Sequence, residues 1–192
     1  DATLSTSKQS GSPCELCLTG VPRSLLEKGL RDRVLRRADG GLKTGWDVII
    51  AALLGAEGYG VGSVAMIAEG CIMARVCHTN KCPVGVATQQ EALRKRFPGI
   101  PEHVVNFFIF IAEEVRQLLS MLGVTCLEDL IGRSDFLKTR EVTLAKTNAI
   151  DLSCLLQPIK QAENRSWLNH QKTAHENGKV LEDQLLNDPE LL

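Results

Sequence analysis

Three cysteines between residues 71 and 82 constrain this chain more than any other feature. They sit in Gly70-Cys71-Ile72-Met73-Ala74-Arg75-Val76-Cys77-His78-Thr79-Asn80-Lys81-Cys82-Pro83-Val84-Gly85, a C-x5-C-x4-C spacing with a proline after the last cysteine. A loop this short can curl so that several sulfurs converge on one centre. Cys-Pro also closes the ligand run of some iron–sulfur electron carriers. Three thiolates suit a three-iron cluster, or a four-iron cluster with a fourth ligand from elsewhere. Soft sulfurs equally suit zinc, with His78 as a fourth ligand. The plain alternative is three unrelated core cysteines, because Cys often packs as a small hydrophobe. Seven cysteines in 192 residues is above ordinary usage, but the spacing alone leaves all three readings open.

The rest of the composition is that of a globular domain, 44% hydrophobic and 23% charged over 192 residues, enough for one core. A net charge of −1 gives no basic field for nucleic acid. The cysteine count is odd and no secretory h-region is visible, so a reducing compartment fits better than a disulfide scaffold. No apolar run reaches membrane-spanning length; the longest, residues 104–112, is broken by Asn106 and soon meets Glu113 and Glu114. The chain starts at Asp1 rather than Met, which reads as a fragment or a processed product.

Residues 1–13, rich in Ser, Thr, Gly and Lys, read as loop. A short helix is predicted over 25–30 and a strand over 33–38, with Asp39-Gly40-Gly41-Leu42-Lys43-Thr44-Gly45 as the turn after it. Residues 47–54 form an apolar helix closed by Gly55. A second strand follows over 57–62, then a short helix over 63–68 that leads into the cysteine loop. Strand–loop–helix repeated in this way is the pattern of a parallel α/β sheet or barrel. Pro101 opens a long helix ending at Gly123, with Val104, Phe108, Ile111, Val115, Leu118 and Leu122 on one stripe, a core-packing face. Thr125-x-x-Glu128 has the form of a capping box before a short helix to Ile131. Beyond residue 135 the pattern weakens. Residues 157–181 are polar and read as a linker or arm, and 180–186 as a last helical turn or strand.

Two glycine-rich turns each follow a predicted strand: Asp39-Gly40-Gly41 and Gly60-Val61-Gly62-Ser63. Glycine there lets backbone N–H groups approach an anion closely, and a helix start adds partial positive charge. In (β/α)8 barrels the loops after the last two strands often form a phosphate site. Asp39, at a strand end, suits the hydroxyls of a ribityl or ribose chain, and Lys43 a phosphate charge. Ordinary βα turns would also account for these glycines, and Lys43 reads equally well as a surface lysine.

These residues, taken together, resemble the glutamate synthases. Leu30-Arg31-Asp32-Arg33-Val34, Asp39-Gly40-Gly41-Leu42-Lys43-Thr44-Gly45 and Asp47-Val48-Ile49-Ile50-Ala51-Ala52-Leu53-Leu54-Gly55-Ala56 carry the likeness. So do Gly60-Val61-Gly62-Ser63-Val64-Ala65-Met66-Ile67-Ala68, the cysteine loop through Val86-Ala87, and Pro101-Glu102-His103-Val104-Val105-Asn106-Phe107-Phe108. Met73-Ala74-Arg75-Val76-Cys77-His78-Thr79-Asn80 and the tail Asn177-Gly178-Lys179-Val180-Leu181-Glu182-Asp183 look most like the ferredoxin-dependent form of plastids and cyanobacteria. The likeness covers residues 14 to 188, and its most specific part is the cysteine loop.

The resemblance implies an α/β chain that is the C-terminal part, about the last two strands, of an FMN-binding (β/α)8 TIM barrel. A long helix and an extended C-terminal arm follow. It implies a divergent loop over 1–20, the end of the synthase domain over 21–134 with the iron–sulfur loop at 70–88, and an arm over 135–192. Cys71, Cys77 and Cys82 become the ligands of a [3Fe-4S] cluster. Asp39, Gly40, Gly41, Gly60, Gly62 and Ser63 become the FMN ribityl-phosphate turns. No catalytic residue is assigned. The implied reaction makes L-glutamate from 2-oxoglutarate and glutamine-derived ammonia, with electrons from reduced ferredoxin passing through the cluster to FMN. The implied location is the plastid stroma or a cyanobacterial-type cytoplasm. Two other readings stand beside it: the NADPH-dependent large subunit, and a non-catalytic zinc or iron–sulfur module.

The wording departs from the family in places. Pro13-Cys14-Glu15-Leu16-Cys17-Leu18 stands where the family reads Pro-Trp-Glu-Leu-Gly-Leu, so Cys14-x-x-Cys17 reads as drift despite its redox-like spacing. Arg36-Arg37-Ala38 replaces a more apolar strand. Cys126 and Cys154 read as packing residues, and His78 as a loop residue. The rest of the synthase polypeptide is expected to supply the remaining strands, and the isolated chain to be inactive, because every strand edge in a barrel must pair.

Overall fold

The computed structural model describes residue 11 and residues 13–140, 145–148 and 150–157. The polar arm expected beyond 157 and the turn expected at 180–186 lie outside the described residues.

A helix, α1, spans Cys14–Glu27, and a 3-10 turn Arg31–Arg33 leads to strand β1, Arg37–Asp39. Helix α2, Gly45–Leu53, strand β2, Gly58–Gly60, and helix α3, Ser63–Ala68, come next. The cysteine loop contains a 3-10 turn at Cys77–Thr79 and is followed by α4, Glu91–Arg94, and α5, Pro101–Leu122. Two 3-10 turns, Leu127–Leu130 and Ser134–Phe136, precede α6, Ala145–Asn148, and α7, Ser153–Leu156. The architecture is a helix-rich α/β arrangement around a small parallel sheet.

β1 and β2 pair in parallel with Arg37 opposite Gly58, Ala38 opposite Tyr59 and Asp39 opposite Gly60. A parallel pair needs a crossover, and α2 provides it. Both strands are shorter than the sequence pattern predicts. β1 keeps Asp39 in the ladder as its last residue, so the carboxylate lies at the strand end.

α2 has strong signals at both ends. Thr44 and Asp47 form a reciprocal capping box: the Asp47 N–H donates to the Thr44 hydroxyl, and the Asp47 carboxylate accepts the Thr44 N–H. At the other end Gly55, at φ +109°, lets its own N–H reach the Ala52 carbonyl and the Ala56 N–H reach that of Ala51. That is the left-handed glycine stop predicted from sequence. Val48, Ile49, Ala51, Ala52 and Leu53 are all buried.

α5 packs on α2 through its C-terminal half. Ile49, Ala52 and Leu53 meet Leu118, Leu119 and Leu130 in the main core, with Val115 and Leu122 packed against it. The predicted stripe is therefore used only in part: Phe108 is exposed, as are its neighbours Ile109 and Phe110. Glu114 crosses to the start of α2, where its Oε2 accepts the Gly45 N–H at 2.6 Å. A second small cluster, Ala38, Ala51 and Ala56 with Leu18 and Leu42 against it, fixes β1 between α1 and α2.

α1 begins at Cys14, where a loop was expected, and ends at Glu27, halfway through the helix predicted at 25–30. Pro22 hides it from a sequence reading, because proline inside a helix removes an N–H donor and clashes with the preceding turn. Here Thr19, Pro22 and Leu26 lie on one buried face, and that burial outweighs the lost bond. The capping box expected at Thr125 does not form. Cys126 takes the N-cap position of the 3-10 turn, without a side-chain cap, and its thiol lies 2.9 Å from the Asp129 carboxylate. Cys126 and Cys154 are both exposed rather than packed. α7 docks back on α1, where Arg23 donates to the carbonyls of Cys154 and Gln157 at 3.2 and 2.9 Å.

Candidate functional site

The parallel register brings the two glycine turns side by side at the C-terminal ends of β1 and β2. Asp39 ends β1 and Gly60 ends β2, directly opposite it. Gly40 and Gly41 follow at φ +118° and +79°, a region that L side chains avoid. A Cβ at Gly40, Gly41 or Gly62 would meet nothing within 4 Å, so all three glycines border open space. A cavity of about 190 Å³ lies over the first turn, lined by Asp39, Gly40, Gly41, Asp47, Cys14 and Leu18 among others. Gly60, Gly62 and Ser63 do not line it. Gly62 caps α3 with its backbone alone, and Ser63 opens that helix.

Asp47 serves the fold rather than the cavity. Its Oδ2 accepts the N–H groups of Lys43 and Thr44 at 2.8 and 2.9 Å and the Thr44 hydroxyl at 3.0 Å. Burial alone would raise this carboxyl; the bonds from Lys43 and Thr44 outweigh it and hold the pKa below the ordinary value. The Lys43 side chain is exposed.

The cysteine loop hangs between α3 and α4. Gly70, at φ +101°, lies against Pro98, and a Cβ there would come within 2.6 Å of its ring. Gly85, at φ +79°, lies against the Leu93 carbonyl with no room for a side chain. Both ends of the loop are thus pinned by the segment that follows it. Cys82 is buried, Cys71 is half-buried and Cys77 is exposed. The backbone N–H of Ala87, followed by those of Val84, Val86 and Gly85, holds the Cys82 thiol pKa below the ordinary value against the opposing effect of burial. Cys71 Sγ accepts the Met73 N–H at 3.4 Å. Among the described residues no three His, Cys, Asp or Glu side chains are gathered closely enough to hold a metal ion. The loop therefore supplies donors of the right chemistry on one short segment, with the sulfurs apart. His78 is exposed in the Cys77–Thr79 turn. Cys14 and Cys17 are exposed on α1, and burial, Glu15 and Cys17 push the Cys14 thiol up.

Two features escaped the sequence reading. One is Asn80, at φ +60°, whose side chain reaches across to Thr88 and Gln89. An asparagine between two cysteines, tolerant of left-handed backbone, was the available signal. The other is a buried charge group: Arg31 lies 2.7 Å from Glu57, and the Arg36 guanidinium 3.9 Å from the same carboxylate.

Residues 2–125 match the family described as a conserved region in glutamate synthase. The chain is 64% identical over 189 residues to ferredoxin-dependent glutamate synthase 2 of Synechocystis, which is 98% of this chain and 12% of that protein. It is 52% identical to the chloroplastic ferredoxin-dependent glutamate synthase of Spinacia oleracea, and 53% to a chloroplastic one of Arabidopsis thaliana, with the same coverage of 98% and 12%. The chain spans about one eighth of the length of these relatives. The matched stretch contains both glycine turns and all three loop cysteines, and the chain belongs to the glutamate synthase family.

Proposed function

We propose that this chain is the part of a ferredoxin-dependent glutamate synthase that holds the flavin phosphate and the iron–sulfur loop. The observation that carries the reading is the family match over residues 2–125, which contains every residue of both candidate sites. The relatives' names favour ferredoxin over NADPH as the electron donor. They also favour a chloroplast or a cyanobacterial cell as its location. Among the described residues no helix is long and apolar enough to cross a membrane. The parallel β1–β2 pair with α2 between its strands supports the last two strands of a (β/α)8 barrel, with residues 21–134 as the end of that domain.

When bound, a [3Fe-4S] cluster and FMN would supply the one-electron and hydride chemistry that turns 2-iminoglutarate, formed from 2-oxoglutarate and glutamine-derived ammonia, into L-glutamate. The chain's own residues fit these groups by donor chemistry and by space. Gly40, Gly41 and Gly62 leave room beside the backbone for a phosphate to approach. The Asp39 carboxylate, at the strand end, accepts bonds from ribityl hydroxyls. Cys71, Cys77 and Cys82 are the thiolate ligands, and the N–H groups around Cys82 stabilise its anionic sulfur. α3 and a short connection join the two sites, which keeps the electron path short.

The test is replacement of Cys71, Cys77 and Cys82 singly by serine in the whole natural polypeptide, purified anaerobically. Each change should abolish the cluster's electron paramagnetic resonance signal, and Cys14→Ser or Cys17→Ser should leave it intact. A full signal in all three loop variants would refute the ligand assignment.

A further inference from the structure

We infer that Asn80 is the positioning residue of the cysteine loop, closing the turn that wraps the Cys82 sulfur and fixing the N–H groups aimed at it. This rests on the reading of Cys82 as a cluster ligand.

Asn80 stands two residues before Cys82 and three after Cys77. Its backbone ends the Cys77–Thr79 turn at φ +60°, with its N–H toward the Cys77 carbonyl at 3.5 Å. That orientation sends the side chain across the loop. Asn80 Oδ1 accepts the Gln89 N–H at 2.6 Å. The Thr88 hydroxyl lies 2.7 Å from the Asn80 carbonyl and 3.0 Å from Oδ1, and it accepts the Gln90 N–H at 3.1 Å. Residues 88–90 are thereby tied to residue 80, and the chain between them must curl around residue 82. Ala87 is the residue just before the tie, and its backbone N–H leads those that favour the Cys82 thiolate. The order of dependence runs from Asn80 to Thr88 and Gln89, from these to Ala87, and from Ala87 to the sulfur.

Hydrogen bonds to cluster sulfurs offset negative charge and raise the reduction potential. A clamp that only held the loop closed would leave the potential unchanged once the cluster was in place. A positioning residue would not, because losing it frees the Ala87 N–H. Reduction potential therefore separates the two roles.

The experiment is a redox titration followed by electron paramagnetic resonance, on the whole natural polypeptide and on Asn80→Ala, Asn80→Gly and Thr88→Val. Flavin content reports whether each variant is folded. Asn80→Gly keeps the left-handed backbone accessible and removes only the side-chain bonds. Both Asn80 variants should shift the potential to more negative values, with flavin retained. An unchanged potential in Asn80→Gly would overturn the inference. If both Asn80 variants lose the signal or the flavin, Thr88→Val decides: a negative shift supports the role and the parental potential refutes it. Failure of the underlying reading would look different, as an undiminished signal in Cys82→Ser.

Discussion

The Asp39 carboxyl group lies over Gly60, its partner across the β1–β2 register, so closely that a Cβ on Gly60 would come within 2.6 Å of Asp39 Cγ. The glycine at position 60 is therefore a packing requirement, whereas Gly62 borders open space. The two glycines of one turn should respond differently to substitution. Gly60→Ala should destabilise by about 1–3 kcal/mol through overpacking, read by urea denaturation. Gly62→Asp should leave stability nearly unchanged but strip flavin from the whole polypeptide, by placing a carboxylate where phosphate belongs. Unaltered flavin in Gly62→Asp would show that this turn does not face the phosphate.

Gly45 and Glu114 form a second close pair. The N–H of Gly45 donates to Glu114 Oε2 at 2.6 Å, and a Cβ on Gly45 would lie 2.9 Å from Glu114 Cγ and from the Val115 nitrogen. A carboxylate here also faces the positive end of α2. Glu114→Gln keeps the size and loses the charge, and should destabilise by about 0.5–2 kcal/mol. Gly45→Ala should cost more, because backbone of α5 must move. Equal melting temperatures for the two variants would show that α5 is free to shift.

The residues that were legible in the sequence were those whose signals are local. α2 was readable from its apolar run and from Gly55, because a left-handed stop and five buried side chains lie within one short segment. The start of α5 at Pro101 and its end at Gly123 were readable for the same reason. α1 was not, because Pro22 argues against a helix and only burial of Thr19, Pro22 and Leu26 reverses that. The Thr125 capping box failed because the chain there turns as a 3-10 helix, one residue later. In the site, the glycine turns and the cysteines were readable as residue types. The Asn80 clamp and the Glu57 pairings were not, since partners 8 to 26 positions away leave no periodic trace.

The Asp47 cap gives a pH signature. Bonds from Lys43 and Thr44 hold its carboxyl below the ordinary value in the folded chain. A carboxylate with a depressed folded pKa stabilises the fold above the unfolded pKa, near 4. That contribution is lost as pH falls through the folded value, which lies lower. Thr44→Ala should destabilise by about 1 kcal/mol at neutral pH. The difference from the parent should shrink below about pH 4, as protonation of Asp47 removes the Thr44 hydroxyl bond that only the parent makes to the carboxylate. Denaturation midpoints at neutral and acidic pH measure this, and a constant difference across the range would exclude the titrating cap.

Among the described residues, Glu57 is the one carboxylate paired with two buried guanidinium groups. Arg31 is 1% exposed and Arg36 8%, and the side chain of Glu57 is 4% exposed. Arg31 also donates to the Val34 carbonyl, and the Arg36 N–H to Glu57 Oε2. The three guanidinium nitrogens of Arg36 have no hydrogen-bond partner among the described residues. Burial first, and then the nearby Arg31, lower the Arg36 pKa to about 10. Two cations and one anion leave the group short of negative charge, so its members should differ sharply in value. Glu57→Gln leaves two buried cations uncompensated and should destabilise by about 3–5 kcal/mol. Arg36→Met removes the surplus cation and keeps an apolar stem, and should be neutral or stabilising by about 1–4 kcal/mol. Urea denaturation of both variants and of the double variant tests the ordering. If Arg36→Met were as destabilising as Glu57→Gln, Arg36 would have a partner that the Arg31–Glu57 pair does not supply.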